Sequence, residues 1–247
     1  MYVKLCAITL YLCFLNVNTQ KVPVTVYYES LCPDSKAFFT SQLYPNLQTN
    51  LSKWVNLTLV PYGKSNHTQV GVDQWEFTCH HGAYECKGNT IHACALHEIE
   101  KTTPRPSNFD FNPITLGFIN CLMDKTTKRI DENTGATIYD FPINNCSLIN
   151  HVQNYVAIEN CAQHPDGSKY LAAFGDETHR FQENLMSVPT IVFNNKYTKE
   201  ESNDATKNFV KVLCKYITEK PDECKNCGFM FKMSWLLLVL IFVKLLL

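Results

Sequence analysis

The sequence predicts a layered α/β domain built on a parallel strand pair and interrupted by a disulfide-rich, largely helical insertion. Two apolar, β-branched runs, residues 22–28 and 55–61, flank a segment with helical spacing, which is the pattern of a βαβ unit. A short crossover of that kind makes the strands parallel and covers the sheet with helix. A third strand-like run, residues 188–193, returns only after a long stretch in which cysteines, prolines and asparagines break the regular pattern.

Taken in order, Val22 to Tyr28 reads as a buried strand, and Phe38, Phe39, Leu43 and Leu47 recur at helical spacing within residues 36–47. Val55 to Pro61 alternates with period two. From Gly71 to about Gln163 helical patches at Ile114–Met123 and Leu148–Cys161 stand between Pro- and Asn-rich breaks. The apolar content of this stretch is thin for a core of its own, so it reads as an insertion stapled by disulfides. Residues 169–182 then read as helix, 188–193 as strand, Asn194-Asn195 as a hairpin turn, 196–198 as its partner strand and 205–216 as a closing helix. The order βαβ, insertion, αββα is that of a thioredoxin-like three-layer fold, here spanning residues 21–220 with the insertion at about 71–163.

The ends read differently. Residues 1–20 carry Lys4 and a short apolar stretch from Leu5 to Leu15, which reads as a cleaved signal peptide and stays outside the fold. Residues 221–247 hold a cysteine pair and an apolar tail. From Phe229 to Leu247 the tail falls short of a spanning helix between Lys232 and Lys244, and it reads equally as a membrane-attachment or lipid-anchor signal and as a segment that packs or is trimmed. A net charge of −1 with dispersed basic residues leaves no stripe for phosphates, so nucleic acid is not an expected partner. Sequons at Asn50, Asn56, Asn66 and Asn145 predict surface glycosylation in an exported chain.

The chemistry is expected where the first strand ends. Cys32 stands directly before a helix, where unpaired amides and the positive end of the macrodipole favour a thiolate. Pro33 suits the first helical position, where its missing amide hydrogen costs nothing. Ser35 occupies the place at which a dithiol enzyme carries its resolving cysteine. A hydroxyl cannot form a disulfide, so a mixed disulfide on Cys32 must be opened by a substrate thiol or an external reductant. Val188-Pro189 precedes the third strand. A cis bond there would turn the Val188 backbone toward Cys32 to pair with an extended peptide, and a trans proline at a strand start fits the dipeptide as well.

With Cys32 kept free, nine further cysteines follow the leader as structural disulfide candidates: Cys79, Cys86, Cys94, Cys121, Cys146, Cys161, Cys214, Cys224 and Cys227. Their pairing is not legible, and the odd number leaves one thiol over or bonded between chains. Cys224-Lys225-Asn226-Cys227 lacks the preceding strand of a redox motif and reads as structural, unless the tail folds back to supply a resolving thiol. Cys79, His80, His81, Cys86, His92, Cys94 and His97 also form a set of zinc-ligand types. Their spacing lacks paired C-x-x-C or H-x-x-x-H grammar and exported cysteines oxidise, so disulfides are preferred and no metal or other cofactor is expected. The histidines are then pH-responsive surface groups.

The stretch Cys79-His80-His81-Gly82-Ala83-Tyr84-Glu85-Cys86-Lys87-Gly88-Asn89-Thr90-Ile91-His92-Ala93-Cys94 resembles the signature of the gamma-interferon-inducible lysosomal thiol reductase family. Cys79, His81, Gly82, Glu85, Cys86, Asn89 and Cys94 fit at the family's spacing, and His80 stands where the family has glutamine. The resemblance covers most of residues 23–215. It implies a thioredoxin-like fold with an inserted segment, glycosylation, entry to the endosomal and lysosomal route, and reduction of protein disulfides at acidic pH. The chain is accordingly expected to be a secreted or lysosomal thiol reductase that uses a small thiol as its external reductant. Carried over, Cys32 corresponds to the attacking cysteine, with Val188 and Pro189 aligning the substrate, and Ser35 departs from the second active-site cysteine. The competing reading is a secreted glycoprotein of the same scaffold that binds partners without turnover; a disulfide isomerase ranks third.

Overall fold

The structure, a computed structural model, describes residues 21–225. The expected leader, the apolar tail and Cys227 lie outside the described residues. A central three-stranded sheet has the order β2-β1-β7, in which β1 (Val22–Tyr28) runs parallel to β2 (Val55–Pro61) and antiparallel to β7 (Thr190–Phe193). Between β1 and β2 the chain forms α1 (Pro33–Phe38), a π-helical turn (Phe39–Leu43) and α2 (Tyr44–Leu47), then a 3-10 turn. Pro45 explains the wide turn. It has no amide hydrogen and its ring crowds the preceding turn, so Tyr44 N–H bonds back to the Phe39 carbonyl.

Period-two alternation in β1 puts Val22, Val24, Val26 and Tyr28 on one face, in a cluster with Phe38, Phe39, Leu43, Phe193 and Phe209. Burying each such side chain contributes about 1.5–3 kcal/mol. Tyr27 points the other way and stacks on Phe181 with centroids 4.5 Å apart. Phe209 lies on α9 (Phe209–Tyr216) and Phe181 ends α7 (Pro165–Phe181), so helices cover both faces of the sheet in a thioredoxin-like sandwich.

Between β2 and α7 come the hairpin β3 (Asn66–Gly71) and β4 (Gln74–Thr78), α3 (Ala83–Thr102), α4 (Pro113–Lys125), the hairpin β5 (Thr127–Ile130) and β6 (Thr137–Asp140), α5 (Ile143–Ile149) and α6 (Tyr155–Gln163). Ile91, Leu116, Phe118 and Ile158 from these helices join the same cluster as β1, so they enlarge one core. Disulfides tie the helices: Cys94–Cys161 joins α3 to α6, Cys121–Cys146 joins α4 to α5, and Cys79–Cys86 closes the turn before α3. Cys214–Cys224 ties α9 to α10 (Asp222–Lys225). Cys224 is therefore committed to α9, which removes it from any resolving role.

Four readings are corrected. Asn194 and Asn195 do form a tight turn, with φ of 51° and 57°. The expected partner strand at 196–198 shrinks to one bridge, Phe193 to Lys196, because Thr198 caps α8 (Lys199–Lys207) by accepting from Glu201 N–H at 3.2 Å. The closing helix breaks at Asn208, whose Oδ1 caps α9 by accepting from Lys211 N–H at 2.9 Å. The helix expected at 148–161 splits because His151 takes a φ of 57° and Asn154 starts α6 as a cap. The helix expected at 169–182 begins earlier, at Pro165, a residue suited to a first turn.

Candidate active site

Cys32 is the N-cap of α1, with extended backbone (φ −69°, ψ 122°), and its carbonyl accepts from Lys36 N–H at 3.0 Å. Strand β1 delivers it to this position and Pro33 starts the helix. Among the described residues it is the free cysteine, and it is 6% exposed. Its Sγ lies 3.8 Å from the carbonyl oxygen of Val188, and the Val188–Pro189 peptide is cis. Tyr27, Val60, Leu185, Val188 and Val192 pack around it in an apolar cluster. Ser35 is one turn further along α1, fully buried, its Oγ accepting from Glu29 N–H at 3.5 Å. Cys32, Ser35, Val188 and Pro189, chosen from separate parts of the sequence, thus share one site.

The loop from Glu29 to Cys32 is held from one side by α3. Glu85, Gly88, Asn89 and His92 follow helical spacing and form a single face toward this loop. Asn89 Oδ1 accepts from Ser30 N–H at 2.8 Å, and Ser30 Oγ donates to the Glu85 carbonyl at 3.3 Å. At Gly88 a Cβ would stand 2.4 Å from Ser30 Oγ and 2.6 Å from Phe141, so only glycine lets helix and loop approach this closely. His92 Nδ1 lies 3.2 Å from Tyr28 Oη. The spacing of the cysteine-rich stretch is the spacing of a helix face that supports the reactive loop.

The start of the same stretch adds charge. Glu29 and Glu85 are both fully buried. Glu29 Oε1 accepts from Lys64 N–H at 2.8 Å, and its Oε2 lies 3.2 Å from His80 Nδ1 and 3.3 Å from His81 Nδ1. Glu85 Oε1 accepts from His81 N–H at 2.9 Å, and its Oε2 lies 2.5 Å from His81 Nδ1. Burial, and next the charge of Glu29, raise the Glu85 carboxyl above its ordinary range. Burial pushes the His92 imidazole down to about 3. His92 is thus a neutral core residue and not a pH-responsive surface group, a correction of the expectation for the histidines.

The mixed zinc set does not assemble, because Cys79, Cys86 and Cys94 are oxidised and His92 is buried against Tyr28. Asn50, Asn56, Asn66 and Asn145 are all exposed, as glycan attachment requires. Glu29 and Gly88 were not singled out from sequence. A carboxylate ending an apolar strand was the available signal for Glu29, and the i, i+3, i+4, i+7 spacing of 85, 88, 89 and 92 was the signal for the helix face.

Residues 23–137 match the family described as gamma interferon inducible lysosomal thiol reductase. GILT-like protein 1 of Drosophila melanogaster is 40% identical over 201 residues, 81% of this chain and 77% of that protein. The gamma-interferon-inducible lysosomal thiol reductase-like protein of Anopheles gambiae is 42% identical over 204 residues, 83% of this chain and 80% of that protein. The gamma-interferon-inducible lysosomal thiol reductase of Mus musculus is 26% identical over 207 residues, covering 83% of this chain and 72% of that one. A loose likeness to the crystal structure of Chlamydia trachomatis DsbA, with 12% identity and a TM-score of 0.48 over 80% of this chain and 87% of that one, adds nothing to these matches. With 40% identity to a relative covered over more than two thirds of its length, the chain belongs to the gamma-interferon-inducible lysosomal thiol reductase family.

Proposed function

We propose that this chain reduces disulfide bonds in protein substrates through attack by Cys32, with resolution by a thiol from outside the site. The observation that carries the proposal is a cysteine at the start of α1, free among the described residues, with its sulfur against the Val188 carbonyl. The Cys32 thiolate attacks one sulfur of the substrate disulfide; a bond forms between Cys32 and that sulfur, the substrate S–S bond breaks, and the departing thiolate takes a proton. A small thiol then attacks the Cys32 sulfur and releases the second substrate thiol. A second small thiol displaces the first, regenerating Cys32 and leaving an oxidised small-thiol disulfide that holds the two electrons' worth of oxidation. Ser35 cannot enter this sequence, which is why both later steps belong to external thiols.

A cysteine only 6% exposed and ringed by apolar side chains suits an extended, unfolded segment laid across Val188 and Pro189 better than a disulfide on a folded surface. The lysosomal names of relatives favour an acidic working pH and the secretory or endosomal route for this chain. The exposed sequons fit glycosylation on that route. Among the described residues no helix is long and apolar enough to cross a membrane, and attachment through the tail remains a separate proposal about residues 229–247.

The test is reduction of a denatured, disulfide-bonded protein at acidic pH with a small thiol present. Cys32→Ser abolishes it, and undiminished activity in that variant overturns the proposal. Ser35 favours one second reading, a scaffold that captures partners without turnover. That reading predicts a Cys32 mixed disulfide that small thiols fail to release.

A further inference from the structure

Three residues converge beside the reactive loop: Glu29, His80 and His81 each offer a donor atom within 4.8 Å of the other two. We propose that they form a site for a divalent first-row transition cation, with Zn²⁺ as the best fit, distinct from the thiol chemistry of Cys32. The donor set is two imidazoles and one carboxylate, the combination that open, three-ligand zinc sites use.

The geometry supports this in three ways. Metal–ligand distances of about 2.0–2.2 Å place neighbouring donors of a tetrahedron about 3.3 Å apart. The distances from Glu29 Oε2 to the two Nδ1 atoms are 3.2 and 3.3 Å. The carboxylate is already oriented, because Lys64 N–H holds Oε1 at 2.8 Å and leaves Oε2 facing the rings. The segment that carries the histidines is fixed at both ends, by Cys79–Cys86 and by Gly82, whose φ of 84° turns the chain into α3. Glu85 Oε2 lies 2.5 Å from the same His81 Nδ1, so the ion takes the place of the hydrogen bond this ring makes to Glu85.

Charge also decides in favour of a cation. The start of α3 presents about half a positive charge. Against it stand the carboxyl groups of Glu29 and Glu85, both fully buried. Lys64 Nζ lies 3.2 Å from His80 Nε2 on a chain free to swing into solvent. On binding, each ring gives its Nδ1 lone pair to the ion and carries its N–H on Nε2, and the fourth position faces water, since both rings reach the surface. The ion would pin residues 79–82 to the end of β1, three positions before the cysteine.

The experiment uses the purified chain with Cys32 alkylated, so that no thiol can ligate. Cobalt(II) chloride is titrated and followed by visible absorption, then displaced by zinc chloride. One equivalent of Co²⁺ gives the intense band of a tetrahedral nitrogen–oxygen site, and one equivalent of Zn²⁺ removes it. His80→Gln with His81→Asn, both on the surface, weakens uptake at least about tenfold, and Glu29→Gln does the same where it folds. No saturable one-to-one uptake, or uptake that the double histidine variant leaves intact, overturns the proposal.

Discussion

Replacing His92 by Gln isolates a pH dependence built into the helix that supports the reactive loop. In the folded chain burial holds this imidazole down at about 3, against an ordinary value of 6.5. The group is a base whose folded value is depressed, so below pH 6.5 the unfolded chain takes up a proton that the folded chain does not. Its contribution to stability is therefore complete above pH 6.5 and is lost as pH falls toward 3. The slope is about 1.4 kcal/mol per pH unit, which comes to about 2 kcal/mol between pH 7 and pH 5. Glutamine still offers Tyr28 a hydrogen-bond partner, and whatever packing it loses is the same at both pH values. Urea unfolding with disulfides intact and Cys32 alkylated, at pH 7 and pH 5, should show the difference in stability between wild type and variant moving by about 2 kcal/mol in the variant's favour. A difference that does not change with pH refutes the reasoning, because it would mean that His92 protonates alike in both states.

Gly88→Ala drives a Cβ to 2.4 Å from Ser30 Oγ, and overpacking of this kind costs about 1–3 kcal/mol; the expected lower urea midpoint comes with slower disulfide reduction, and a variant equal to wild type in both contradicts the account of the helix face. Asn89→Ala strands the Ser30 N–H inside the protein at a cost of about 1–3 kcal/mol, checked by the same unfolding curve. Removing Cys94–Cys161, which spans 67 residues of sequence, should cost about 4 kcal/mol, whereas removing Cys79–Cys86, which spans 7, should cost about 2.5 kcal/mol; calorimetry that reverses the order would count against chain entropy as the main term. Ser35→Cys places a second thiol one helical turn from Cys32, and in a single turnover without small thiol the introduced thiolate should attack the Cys32 sulfur, release the substrate thiol and leave an internal disulfide that small thiol must still reduce before the next cycle. A Cys32–substrate adduct that persists without small thiol in this variant would show that position 35 cannot reach the cysteine.

The sheet was legible because its strands are strongly patterned. Residues 22–28 and 55–61 form the strands read from them, and the Cys32 sulfur lies 3.8 Å from the Val188 carbonyl oxygen. The hairpins β3–β4 and β5–β6 were not foreseen: Thr127–Ile130 is exposed throughout and carries no apolar alternation, and in β4 the alternation is confined to Trp75 and Phe77 within five residues. Helix α3 was obscured by its own chemistry: Glu85, Gly88, Asn89, His92 and Cys94 are among its buried residues, so periodicity in apolar residues is weak there. Helix breaks at Asn154 and Asn208 were missed for a simpler reason, as a single capping asparagine interrupts a run whose apolar spacing otherwise continues. Glu29 was passed over because a carboxylate at a strand end reads as exposed until the partner turn at Gly63 and Lys64 is seen to close over it.

The central claim is that Cys32 is an attacking thiol with no partner cysteine in its own site. It is tested most directly by mixing the protein with a denatured disulfide-bonded substrate at acidic pH, without small thiol, and reading the products by mass spectrometry after acid quenching. The account predicts a covalent adduct linked through Cys32 that accumulates for lack of a resolving thiol and disappears when small thiol is added. An adduct that forms equally in Cys32→Ser, or no adduct at all while the substrate is reduced, would contradict it.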